Sequence, residues 1–187
     1  MTGKEKEEKL QSAAGKAEEK EWPKYITQLI AITTLFLAVC ATFASLKAGA
    51  YSSKAILAQN QASNAWAYYQ AKSLKENAYK IQLDNIKMHG NGLDAEQAAK
   101  FQEKYAETVA RYQDEEKEIT EQAKTAETER DRSQIFNKAF AGALTFLQIG
   151  ILLASLSALT KLLYFWYIGL AIGGYGVYAF LTTLLQT

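Results

Sequence analysis

The sequence has few of the residues that interrupt helices and few of those that carry chemistry. It contains one proline, one cysteine and one histidine. Past Pro23, nothing bears the ring that breaks a helix interior. A lone Cys40 excludes an intrachain disulfide, and its place inside an apolar run marks a buried structural thiol rather than a reactive one. One His and one Cys, far apart in the chain, make no metal-ligand cluster. There is no phosphate-binding loop, no nucleophile–base pair and no carboxylate pair in a recognisable pocket. No catalytic, cofactor-binding or metal-binding residue is therefore assigned, and an enzyme is not expected. The net charge is +1, with no uncompensated basic face, so nucleic acid is not an expected partner.

Glycine is equally scarce in the middle of the chain. Between Tyr51 and Lys138 only Gly90 and Gly92 occur, with Asn91 between them and Asp94 just after. Gly and Asn tolerate the left-handed conformations of a tight turn, and Asp94 suits a helix N-cap with Gln97 as its capping-box partner. These residues predict an extramembrane helical hairpin over residues 47–138, with arms 47–88 and 95–138 and a turn at 89–94. The first arm carries a seven-residue pattern through Leu57, Asn60, Asn64, Ala67, Ala71, Leu74, Ala78, Ile81, Asn85 and Met88, which reads as its seam. The second arm offers Phe101, Tyr105, Val109 and Tyr112, then Ile119 and Ala123, with Glu115 and Glu116 interrupting. Folding about the turn sets Leu74 opposite Val109, Ala78 opposite Tyr105 and Ala71 opposite Tyr112, small against large. The first arm has six lysines against two acids, and the stretch from Asp94 to Lys138 has eight basic residues against twelve acids, so unlike arms attract.

Charge is absent from three other stretches. Residues 1–21 form a charged, flexible tail in which Lys and Glu balance. Trp22 and Tyr25 suit a bilayer interface. The charge-free run from Tyr25 to Leu46 spans about 33 Å as a helix, enough for a hydrocarbon core of about 30 Å. Ala48-Gly-Ala50 resembles a signal-peptide cleavage pattern, but the apolar run is too long and too far from the start, so 22–46 is expected to be an uncleaved first span. Spans over 139–160 and 161–185 follow. Gly150, Ala154 and Ala158 form a small-residue ridge on the second, and Gly169 and Gly173 a GxxxG on the third. That pair packs either against the second span or against another protomer. The chain is thus expected to be an all-α membrane protein whose three transmembrane helices carry an antiparallel, coiled-coil-like hairpin between the first and second. Lys16, Lys20, Lys24 and Lys161 favour a cytoplasmic N-terminus and a periplasmic hairpin, against the pull of Arg130, Arg132 and Lys138.

Within the first arm, Trp66, Tyr69, Gln70 and Ser73 fall on one helical face, a candidate interaction surface. The run Trp66-Ala-Tyr-Tyr-Gln-Ala-Lys-Ser73, preceded by an anchor and followed by Lys/Glu-rich helix, resembles the DUF4337 family of bacterial membrane proteins of unknown function. Phe146-Leu-Gln148, Ala158-Leu-Thr-Lys161 and Phe165-Trp-Tyr167 fit the same family. The resemblance implies a three-span inner-membrane protein with a helical insertion, and supplies no activity. The expected role is a self-associating structural or scaffold protein whose partners are the lipid bilayer, further copies of itself and an unidentified protein. Two alternatives remain: a subunit of an oligomeric channel, suggested by Thr27, Thr33, Thr34, Thr42 and Ser45, and a ligand-sensing module acting through a separate partner. No ionisable Asp, Glu, Lys, Arg or His falls inside a span's charge-free run, which disfavours an ion-coupled transporter.

Overall fold

A computed structural model of the chain describes residues 23–89 and 94–186. Among these residues there are three helices, α1 (Lys24–His89), α2 (Ala95–Thr160) and α3 (Leu163–Leu185), and no strand. The charged tail over 1–21 and the turn residues Gly90, Asn91 and Gly92 lie outside the described residues. Each helix contains a segment long and apolar enough to cross a membrane.

The helix ends follow from local chemistry. At the start of α1 the Pro23 carbonyl accepts from Ile26 N–H at 2.9 Å, so the chain's one proline sits where its missing N–H costs nothing. Before α2 the Asp94 carbonyl accepts the first helical bond, from Ala98 N–H at 2.9 Å, as an N-cap residue does. Between α2 and α3 only Lys161 and Leu162 intervene. Lys161 takes a left-handed φ of 55°, and Ser157 Oγ donates to the Leu162 carbonyl at 2.8 Å, closing the reversal.

The chain divides into two compact units. One takes the described residues up to Ser45 together with those from Phe140 onward, and the other is Leu46–Ala139. In the first unit, α1 turns Ile30, Leu37, Ala41 and Ala44 inward, α2 turns Phe140, Ala143, Leu147 and Ala154, and α3 turns Gly169, Gly173, Gly176 and Phe180. Contact is close because side chains are missing: a Cβ on Gly150 would lie 2.8 Å from Gly173 Cα, and one on Gly176 would lie 2.9 Å from Leu147 N. Gly169 and Gly173 therefore meet α2 of the same chain, and Leu37 of α1 packs over Gly173. Gly150 and Ala154 are buried in this contact; Ala158, one turn on, is exposed and falls outside it. The large aliphatic and aromatic side chains Leu35, Phe36, Phe43, Leu152 and Tyr178 point outward.

The second unit is an antiparallel pair of helical arms, and its seam differs from the one expected. On α1 the inward positions are Ala48, Tyr51, Ala55, Ala58, Ala62, Ala65, Tyr69, Lys72, Glu76, Tyr79, Leu83 and Ile86. They repeat by threes and fours as a seam does, but on nearly the opposite face of the helix. Ala71, Leu74, Ala78 and Ile81 are exposed, Leu74 at 72 % and Ile81 at 61 %. Tyr105 accordingly meets Tyr79 rather than Ala78, and Tyr112 meets Lys72 and Tyr79 rather than Ala71. On α2, Val109, Tyr112, Ile119 and Ala123 are buried and Tyr105 half-buried, whereas Phe101 is 41 % exposed and stacks on Tyr105 from the rim. The physical reason lies in how closely the arms approach. Between the Ala48–Asn137 and Trp66–Glu127 contacts the buried positions are small on both helices, Ala55, Ala58 and Ala62 on one and Ser133 on the other, and the larger aliphatics of the first arm stay outside.

Candidate functional site

The middle of the second unit is where polar chemistry enters a packed seam. Towards Ala48 the layers are tied by Asn137, whose Nδ2 donates to the Ala48 carbonyl at 2.8 Å, and by Tyr51 against Phe136 with ring centroids 5.2 Å apart. Arg130 Nη1 donates to Gln59 Oε1 at 3.1 Å. Trp66 Nε1 then donates to Glu127 Oε1 at 2.9 Å, while Tyr69 meets the indole edge-on at 5.7 Å. The expected interaction face is thus mostly an internal one. Trp66 and Tyr69 are spent on packing between the arms and Ser73 is half-buried, which leaves Gln70 as its one exposed member. The spacing by threes and fours placed these four side chains on one face correctly, but which neighbour that face meets depends on the register of α2.

One helical turn further, Lys72 bonds Glu115 across the arms and lies over two rings, 5.3 Å from the centre of Tyr68 and 5.1 Å from that of Tyr112. This hydrogen bond holds the Glu115 carboxyl below its ordinary range and the Lys72 ammonium above its own. It is the one ion pair between the arms among the described residues; the others lie within a single helix. The excess acid of α2 therefore faces outward. Part of it lines a groove of about 920 Å³ with Glu118, Glu121 and Glu129 on one wall and Gln61, Asn64 and Tyr68 on the other.

Next comes a pair of carboxyl groups that sequence reasoning placed only as an interruption of the seam. Glu76 of α1 is 4 % exposed and lines one groove with Gln113 and Glu116 of α2. Lys80 Nζ lies 2.8 Å from Glu76 Oε1, a charge contact rather than a well-angled hydrogen bond. Glu116 Oε1 is buried without a hydrogen-bond partner. The environments push the two apart. Lys80 holds Glu76 below the ordinary carboxylate range, whereas burial, and then the Glu76 charge, raise Glu116. The signal that could have exposed this was the register itself: continuing the stripe Ala55, Ala58, Ala62 by threes and fours lands on Glu76. Beyond the pair, Tyr79 stacks between Tyr105 and Tyr112 at 5.6 and 5.8 Å.

Among the described residues no group of three His, Cys, Asp or Glu side chains lies close enough to share a metal ion. Three of the four threonines that suggested a pore lining turn their hydroxyls back on their own helix: Thr33 and Thr34 donate to the Ile30 carbonyl at 2.9 and 2.7 Å, and Thr42 to that of Ala38 at 2.9 Å. Thr33 also accepts from Trp166 Nε1 at 3.2 Å.

Against known proteins, one family model matches, described as a domain of unknown function (DUF4337), over residues 26–186. No curated protein and no solved structure matches the chain.

Proposed function

This chain belongs to the DUF4337 family, and from that premise we propose that it is a non-enzymatic integral membrane protein that self-associates through the hairpin and acts as a scaffold. The carrying observation is the stripe left outside the seam. Leu57, Leu74, Ile81 and Met88 are all more than half exposed and lie on one seven-residue pattern of α1. Such a repeat is the pattern of a helix that packs on a helix, and within one chain it has been bypassed. Two hairpins joined along it form a four-helix bundle. Burying a large aliphatic side chain contributes about 1.5–3 kcal/mol when complete. A few such residues per copy suffice once both copies are confined to one membrane plane, where effective concentration is high.

The inverted surface of the first unit supports membrane embedding. Leu35, Phe36, Phe43 and Leu152 face out, while glycine, alanine and Ser157 share the interior with Leu37, Phe140 and Leu147, so the outer surface is as apolar as the inside, unlike that of a water-solvated domain. Hydroxyls already bonded to their own backbone are what lipid-facing helices require. The proposed setting is the bacterial inner membrane, with Lys24 and Lys161 on the cytoplasmic side and the hairpin in the periplasm.

The test is disulfide crosslinking in native membranes. Ile81→Cys in a Cys40→Ala background is expected to give a covalent dimer, and Glu103→Cys, exposed on α2, is expected not to. A strictly monomeric Ile81→Cys protein at native abundance would remove the proposal.

A further inference from the structure

We propose that Glu76 and Glu116 share a single proton across the hairpin seam, and that this proton is a latch: when it leaves, the two arms loosen at mid-length. The inference does not depend on self-association, because both carboxyls belong to one chain.

Geometry carries it. The two carboxyl groups come from different helices and line one groove, and each keeps a buried oxygen without a hydrogen-bond partner, so two full negative charges side by side there are disfavoured. Glu76 is nearly fully buried, and Glu116 Oε1 has no hydrogen-bond donor, so a second negative charge there is left without solvation. The charges facing the pair are few. From α1 come Lys80, already beside Glu76, and Lys72, already bonded to Glu115; Ser73, Tyr69 and Tyr79 are neutral. From α2 come Gln113, Thr120, Glu115, Lys117, Glu121 and Lys124, of which Lys117 is paired with Asp114. Among the described residues of this groove, Lys80 and Lys124 thus face three carboxyls, those of Glu76, Glu116 and Glu121. A groove of about 580 Å³, lined by Glu76, Glu116, Lys80 and Lys117, opens onto the pair and gives protons a route in and out.

The sign follows from linkage. Glu116 binds its proton more tightly in the packed hairpin than in an open one, so its contribution is complete at low pH. That contribution is lost as pH climbs from the ordinary glutamate range through the raised value. Glu76 runs the other way: its contribution is present above the ordinary range and is lost as pH falls through its lowered value. The arms are then tightest between these limits and loosen on the alkaline side first at Glu116.

The experiment is amide hydrogen exchange on the full chain in lipid nanodiscs across a pH series, corrected for the intrinsic rate. In the wild-type protein, protection of residues 73–80 and 112–120 is expected to fall with rising pH, by up to about tenfold per pH unit inside the window. Glu116→Gln, which keeps the shape and a neutral group, is expected to hold its protection flat over the same range. If wild type and Glu116→Gln fall together, or neither falls, the latch is wrong. A second readout needs no variant. Infrared spectra of the wild-type protein are expected to keep a protonated-carboxyl C=O band at a pH where exposed carboxylates are ionised, and to lose it as protection drops. Absence of that band overturns the shared proton.

Discussion

At the scale of single residues, the hairpin is fastened by a few polar contacts placed between alanine layers. The best separated of these is Trp66 to Glu127, because it bridges the arms and involves no other donor. Trp66→Phe keeps a ring against Tyr69 and removes only the indole N–H. The expected cost is about 1 kcal/mol, the usual net value of such a bond. A thermal melt of the solubilised chain measures it. Trp66→Ala also removes the ring contact and is expected to cost about 3 kcal/mol or more. Equal losses for the two variants would mean that the hydrogen bond carries nothing and packing everything.

At the scale of elements, the close contact of α2 with α3 rests on absent side chains. Gly150→Val places a branched side chain where even a Cβ would be 2.8 Å from Gly173 Cα, and backbone cannot step aside as a flexible side chain can. The expected destabilisation is about 1–3 kcal/mol or more, seen as a lowered melting temperature of the detergent-solubilised protein. Gly174→Val is the control, since nothing lies within 4 Å of a Cβ there, and it is expected to melt as the wild type does. The elements themselves were legible in the sequence. Charge-free runs gave the apolar segments, and the lack of proline gave unbroken helices. The Gly169–Gly173 spacing gave a close contact, though not its partner within the chain. The register was not legible. Two stripes of the first arm, on nearly opposite faces of the helix, both repeat by threes and fours. The stripe with the larger aliphatics looks like the better seam, and nothing in the first arm alone shows that the alanine stripe faces the small Ser133 of the other helix. For the same reason the first arm alone does not put Glu76 on the seam. A seam that buries lysine and glutamate while leaving leucine outside contradicts the binary pattern, and such conflicts mark positions kept for something other than stability.

For the whole molecule, the remaining question is which way it stands in a bilayer, and charge decides between two opposed signals. The reversal at Lys161 and the flank at Lys24 carry positive charge on short segments, the kind that stays cytoplasmic. Opposing them are Arg130, Arg132 and Lys138 at the foot of the second arm. Two of these are already engaged: Arg130 pairs with Asp131 at 2.8 Å, and Arg132 lies 5.8 Å from the ring centre of Phe136. A compensated charge in a long insertion weighs little against translocation, whereas charge on a short reversal counts in full. In the proposed arrangement of three crossings the hairpin and the reversal are expected on opposite faces. In a Cys40→Ala background, Asp114→Cys is expected to react with a membrane-impermeant maleimide in intact spheroplasts. Lys161→Cys is expected to react only after permeabilisation. The opposite labelling would invert the orientation while keeping three crossings, and labelling of both from one side would mean that one of the three apolar helices does not cross.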